Sequence, residues 1–107
     1  MMLNELNETI ASQIEHCKRV LVIKGEEYVH GNDRLEHFKN SAQDQDITAK
    51  EALWGMLSKQ LTSLKAMCKN DNTVTELWVE KITDSINYLL LLRCLVEEEV
   101  ANEKYRS

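Results

Sequence analysis

Three polar side chains interrupt one flank of the most apolar stretch of the chain. In "EKITDSINYLLLL", Glu80 to Leu92, the residues Glu80, Asp84 and Asn87 fall four and three positions apart. On a helix that spacing stacks them on one face. Paired carboxylates are how helical bundles hold Mg²⁺ or Mn²⁺, because hard cations prefer oxygen ligands. The plainer reading is a solvated face, and Glu80 alone fits either. Asp84 and Asn87 lie closer to the segment that must be buried, which favours a ligand-binding or internal hydrogen-bonding role.

Two further groups carry usable chemistry. "KGEEYVHGNDRLEHFKN", Lys24 to Asn40, gathers Lys24, Glu26, Glu27, Tyr28, Asp33, Arg34, His37 and Lys39 around a predicted helix–loop–helix turn. Loops at element ends commonly hold binding residues, though such a segment also serves as a solvated connector. Lys59, with Gln60 beside it, sits at the margin of an apolar helix face in "ALWGMLSKQLTSL". Alone it reads as a lysine that lays its stem on apolar surface and keeps its charge in water. The familiar enzyme signatures GxSxG, HExxH, the P-loop and GxGxxG do not occur. His16, His30 and His37 show no metal-ligand spacing and read as solvated or packed residues. Cys17, Cys68 and Cys94 are far apart, odd in number and form no CxxC, so neither zinc nor a disulfide framework is expected.

Helices must position these groups. Leu3, Leu6, Ile10, Ile14, Cys17 and Leu21 recur at spacings of three and four, predicting an amphipathic helix from about residue 3 to about residue 28. Leu35, Phe38 and Ala42 predict a short helix capped by Asn32 or Asp33. "QDQD" is a polar break. "TAKE", Thr48 to Glu51, matches a capping box and opens a helix with Leu53, Leu57, Leu61, Leu64 and Cys68 as its core face. "TVTE", Thr73 to Glu76, is a second capping box before a helix running to about residue 104. From Tyr88 to Val96 that helix is apolar nearly all round, which predicts burial on several sides. Two shorter helices cannot cover all of it, so a neighbouring subunit is expected to complete the bundle.

The chain has 107 residues, no proline and three glycines, which disfavours strands and their turns. The expected architecture is a single all-α domain over residues 1–107, a bundle of three long helices plus a short one, completed by homo-oligomerisation. A net charge of −5 makes non-specific nucleic-acid binding a poor fit, since that rests on phosphate neutralisation. The opening "MMLNELNETI" is not of signal-peptide type, and "YLLLL" is far short of a membrane span. A cytoplasmic protein without membrane association is therefore expected.

Together, "KGEEY", "DRLEHFKNSA", "TAKEALWGMLSKQLTSL" and "EKITDSINYLLLL" resemble the small phage and prophage proteins called nucleotide-modification-associated domains. Those are similar in pattern to the all-α nucleoside triphosphate pyrophosphatases, the MazG and dUTPase-like group. The resemblance runs from about Glu15 to Glu98. It implies an oligomeric helical bundle that binds a nucleotide with Mg²⁺, in the host cytoplasm where the gene is phage-borne. The wider group carries an ExxE on one helix and an ExxD on a later one. Asp84 fits the later motif, but Lys81 stands three before it, with Glu80 one place further back. The earlier motif is not met: the third place after Glu51 is Trp54.

Two readings follow. In the first, a Mg-dependent nucleotide pyrophosphohydrolase-like enzyme, Glu27, Glu80 and Asp84 hold Mg²⁺ and Lys24, Arg34 and Lys59 meet phosphates, with hydrolysis at phosphorus. Asn87 or Tyr28 contacts sugar or base. In the second, the same pocket holds a nucleotide, or a nucleotide second messenger, without cleaving it, as in sequestration or anti-defence. A protein-interaction module is a third, plainer reading.

Overall fold

The computed structural model describes residues 1–24, 33–70 and 74–106. Four α-helices account for nearly all of them: α1 (Leu3–Arg19), α2 (Glu36–Gln45), α3 (Ala49–Cys68) and α4 (Thr75–Arg106). There is no strand among the described residues. α4 packs on α3, α3 also packs on α2, and α1 lies against α4. The molecule is elongated, 50 × 29 × 27 Å, because 32-residue α4 at 1.5 Å per residue is itself about 48 Å long.

Local chemistry accounts for the element ends. The Thr48 hydroxyl accepts from Glu51 N–H at 3.1 Å, and the Glu51 carboxylate accepts from Thr48 N–H at 3.1 Å. Two of the free donors at the start of α3 are thereby satisfied. The predicted second box falls on Thr73, which lies outside the described residues; α4 opens at Thr75 with the Val74 carbonyl accepting from Trp78 N–H at 3.3 Å. α2 is preceded by Asp33, whose carboxylate accepts from Leu35 N–H at 2.9 Å. It closes on Asp46, which adopts a left-handed conformation (φ 55°, ψ 47°). Ile47 N–H then reaches back to the Ala42 carbonyl at 3.0 Å, the bond pattern that ends many helices. "QDQD" is thus a terminator, with a short polar side chain tolerating a backbone geometry that suits glycine better.

The core is Leu35, Phe38, Leu53 and Leu95, with Ala49, Met56, Tyr88, Leu91 and Leu92 packed against it. Leu53 is fully buried. Three ion pairs flank this core: Lys39 Nζ reaches Asp33 and Glu98, each at 2.6 Å, and Lys50 Nζ reaches Glu99 at 2.9 Å. They tie α2 and α3 to the second half of α4.

Two expectations need correction. The first helix is expected to run to about residue 28, of which residues 25–28 lie outside the described residues. Instead α-helix stops at Arg19 and a π-helical turn spans Val20–Lys24. On α3, Leu61 and Cys68 are exposed and Ala52 and Met67 are buried instead, because the face that meets both α2 and α4 is rotated from the leucine stripe. Within one chain, the segment from Tyr88 to Val96 is covered on one side only: Leu95 is buried, but Leu89, Leu90 and Val96 are exposed. The same holds for α1, where Cys17 is buried while Leu3, Leu6, Ile10 and Ile14 face outward.

Candidate functional site

The site is a cleft of about 1080 Å³ running along the first half of α4, with α1 and its π-turn on one side and α2 on the other. From Thr75 to Leu91 the lining residues of α4 recur every three or four positions, covering about 24 Å of helix. The order along α4 sorts the chemistry. Glu76, Glu80 and Asp84 come first, then Asn87, Tyr88 and Leu91. Arg34, His37 and Phe38 face them from the start of α2. His16, Val20 and Leu21 complete the lining. A π-turn carries one more residue per turn than α-helix and often marks a functional site; here it delivers Val20 and Leu21 to the cleft.

Hydrogen bonds hold α1 in place. Gln13 Nε2 donates to Thr83 Oγ1 at 2.8 Å and to Cys17 Sγ at 3.3 Å. Thr83 is only 2% exposed, so this bond satisfies a hydroxyl that would otherwise be buried alone. On the far side, Phe38 meets Tyr88 edge-to-face, ring centroids 6.2 Å apart, a preferred aromatic arrangement. The Asp33–Lys39 pair fixes the chain just before and after Arg34 and His37.

Electrostatically the carboxylates are unbalanced. Burial pushes the Asp84 carboxyl above its ordinary value, the neighbouring Glu80 charge pushes it further, and Lys81 partly opposes both. Tyr88 is likewise raised, by burial first and by the Asp84 charge second. A carboxylate pair whose protein surroundings leave it repelled suits a cation. Mg²⁺ is commonly held by only one or two protein carboxylates, with water and substrate phosphates completing its shell. The all-oxygen donors Glu80 and Asp84 fit that demand. Among the described residues there is no group of three His, Cys, Asp or Glu placed to hold a metal.

The predicted site residues divide into three sets. Arg34, Glu80, Asp84 and Asn87 come together in this one cleft. Lys59 lies on the exposed side of α3 and does not line it. Glu27 and Tyr28 lie outside the described residues, and of Lys24 only the backbone, in the π-turn, is described. Sequence reasoning read His16 as solvated or packed, did not single out Thr83, and placed Phe38 only on the apolar face of a short helix. The signal for His16 was its place beside Cys17, the one residue of the α1 stripe that is buried.

Compared with known protein families, curated proteins and solved structures, the chain matches none. No helix among the described residues is long and apolar enough to cross a membrane.

Proposed function

We propose that this chain is a cytoplasmic nucleotide-binding protein of the phage type its motifs resemble, acting as a Mg-dependent nucleotide pyrophosphohydrolase-like enzyme. One observation carries the reading: a single cleft juxtaposes a cationic side chain, Arg34, a carboxylate pair, Glu80 and Asp84, an amide, Asn87, and an aromatic wall, Phe38 and Tyr88. Those are the groups that phosphate, cation, base edge and base face respectively require. Pockets for small molecules are of order 300–1,000 Å³, so the space suits a nucleotide. Glu80 and Asp84 would hold Mg²⁺, which supplies neutralisation of phosphate charge and polarisation of the phosphoryl oxygens. Arg34 would orient the phosphates by its fixed fork of donors.

A second reading, binding without cleavage, is favoured by Glu51. The only glutamate on α3 spends its carboxylate on the capping box, so it is committed to structure. In that case the protein sequesters a nucleotide or nucleotide second messenger. Incubation with nucleoside triphosphates and cyclic nucleotides plus Mg²⁺ tests both. Pyrophosphate release supports the enzyme, ligand depletion without product supports the binder, and neither outcome overturns nucleotide recognition and leaves a protein-interaction module.

The reading includes a second copy of the chain. α1 exposes Leu3, Leu6, Ile10 and Ile14, and α4 exposes Leu89, Leu90, Val96 and Val100. Two such apolar stripes on one small chain exceed the scattered exposure usual on a monomer.

A further inference from the structure

α4 buries three polar side chains, Thr83, Ser85 and Asn87. Two are satisfied within the chain: Thr83 Oγ1 accepts from Gln13 at 2.8 Å, and Ser85 Oγ donates to the Lys81 carbonyl at 2.8 Å. Asn87 is different. It is 5% exposed, yet neither its Oδ1 nor its Nδ2 has a hydrogen-bond partner among the described residues. An unsatisfied buried polar atom is destabilising, and native proteins pair the great majority of them. The one other such atom among the described residues is a single oxygen of Gln60, on α3 and away from the cleft. Asn87 withholds a donor and an acceptor together, and it lines the cleft.

From this we infer that Asn87 is a base-reading residue: its carboxamide pairs with a nucleobase edge that offers one donor and one acceptor side by side, while Phe38, Tyr88 and Leu91 receive the base's apolar faces. An asparagine side chain carries both functions in one plane. It can turn over to match either order of donor and acceptor, so it reads the presence of such an edge. Its place on α4 agrees with that role. Asn87 follows Asp84 by three residues, about 4.5 Å further along the helix axis, at the point where the lining changes from carboxylates to Tyr88 and Leu91. Phosphates and cation would lie toward Glu80 and Arg34, and the base toward the aromatic end. The unmet hydrogen bonds of the free protein are then met by the ligand. A site built to hydrogen-bond its ligand also rejects analogues that cannot bond back.

The inference rests on the nucleotide reading above, and one calorimetric titration separates their failures. The probes are α,β-imido analogues of the four common deoxynucleoside triphosphates, and inorganic tripolyphosphate, each with Mg²⁺. The wild type should bind at least one nucleotide roughly tenfold or more tighter than tripolyphosphate, the discrimination expected of one two-point amide–base contact. Asn87→Leu, close in volume and without polar atoms, should reduce that nucleotide to the level of tripolyphosphate and leave tripolyphosphate binding unchanged. Its thermal midpoint should stay level or rise, because two unsatisfied atoms are removed. Asn87→Ala should show the same loss of discrimination if the leucine variant fails to fold. Undiminished nucleotide preference in both variants would overturn the base-reading role alone. A wild type that binds no nucleotide more tightly than tripolyphosphate would overturn the nucleotide reading and this inference together.

Discussion

Asp84 lines the cleft and Asp33 stands one residue before Arg34, which also lines it, and the surroundings of the two aspartates push them in opposite directions. Asp84 is raised, by burial and then by Glu80. A carboxyl raised on folding contributes stability that is complete below its ordinary range and lost as pH rises through the raised value. Asp84→Asn should therefore melt above the wild type at neutral pH without metal, with the gap closing in acid. Mg²⁺ should raise the wild-type midpoint and leave Asp84→Asn unmoved; a variant that melts lower at neutral pH in metal-free buffer would show Asp84 to be a structural anion. Asp33 is lowered, chiefly by the hydrogen bond from Lys39 and next by Leu35 N–H. Its contribution is present above the ordinary carboxylate range and lost as pH falls through the depressed value. Asp33→Ala should cost about 1 kcal/mol at pH 7, as for other turn and cap carboxylates in partly exposed pairs, and nothing in strong acid. Denaturant midpoints at the two pH values measure it.

Among elements, α3 is the one whose ends and packing are most fully written in local sequence. Thr48 and Glu51 form the box that their spacing predicts. Gly55 sits inside this helix, and a methyl group added there meets nothing within 4 Å. Gly55→Ala should stabilise the protein by about 1 kcal/mol, the helix-propensity difference, seen as a higher urea midpoint with an unchanged slope. A loss of stability would mean that another backbone packs against this spot in the assembled protein. α1 was less legible. Its apolar periodicity is regular from Leu3 to Leu21, so nothing in it announces a change to π-helix at Val20. Only the tertiary structure shows that this turn places Val20 and Leu21 in the cleft lined by α4.

At the scale of the whole molecule, the apolar surface left by one chain sets the expectation. Leu89, Leu90 and Val96 on α4, with the α1 stripe, predict a dimer or larger assembly in light scattering at micromolar concentration. A clean species at the 12.4 kDa chain mass would remove that expectation. Ile10→Glu should shift the assembly toward monomer with little loss of helix content, because Ile10 is exposed within the single chain and a charge there costs little until a partner must cover it.

The helical class was determined by sequence alone, through the absence of proline, the scarcity of glycine and the recurrence of apolar residues at three and four. So was the face that joins Glu80, Asp84 and Asn87, because helix geometry converts spacing directly into direction. Periodicity says which residues share a face, but not what that face meets. Only the tertiary structure set Arg34, His37 and Phe38 opposite α4 and left Lys59 outside. Only it showed that Trp54 is 54% exposed while Ala52 is buried. The empty hydrogen bonds of Asn87 belong to the same kind of fact. Whether a buried polar side chain finds a partner depends on groups distant along the chain, as Thr83 finds Gln13 seventy positions away and Asn87 finds none among the described residues.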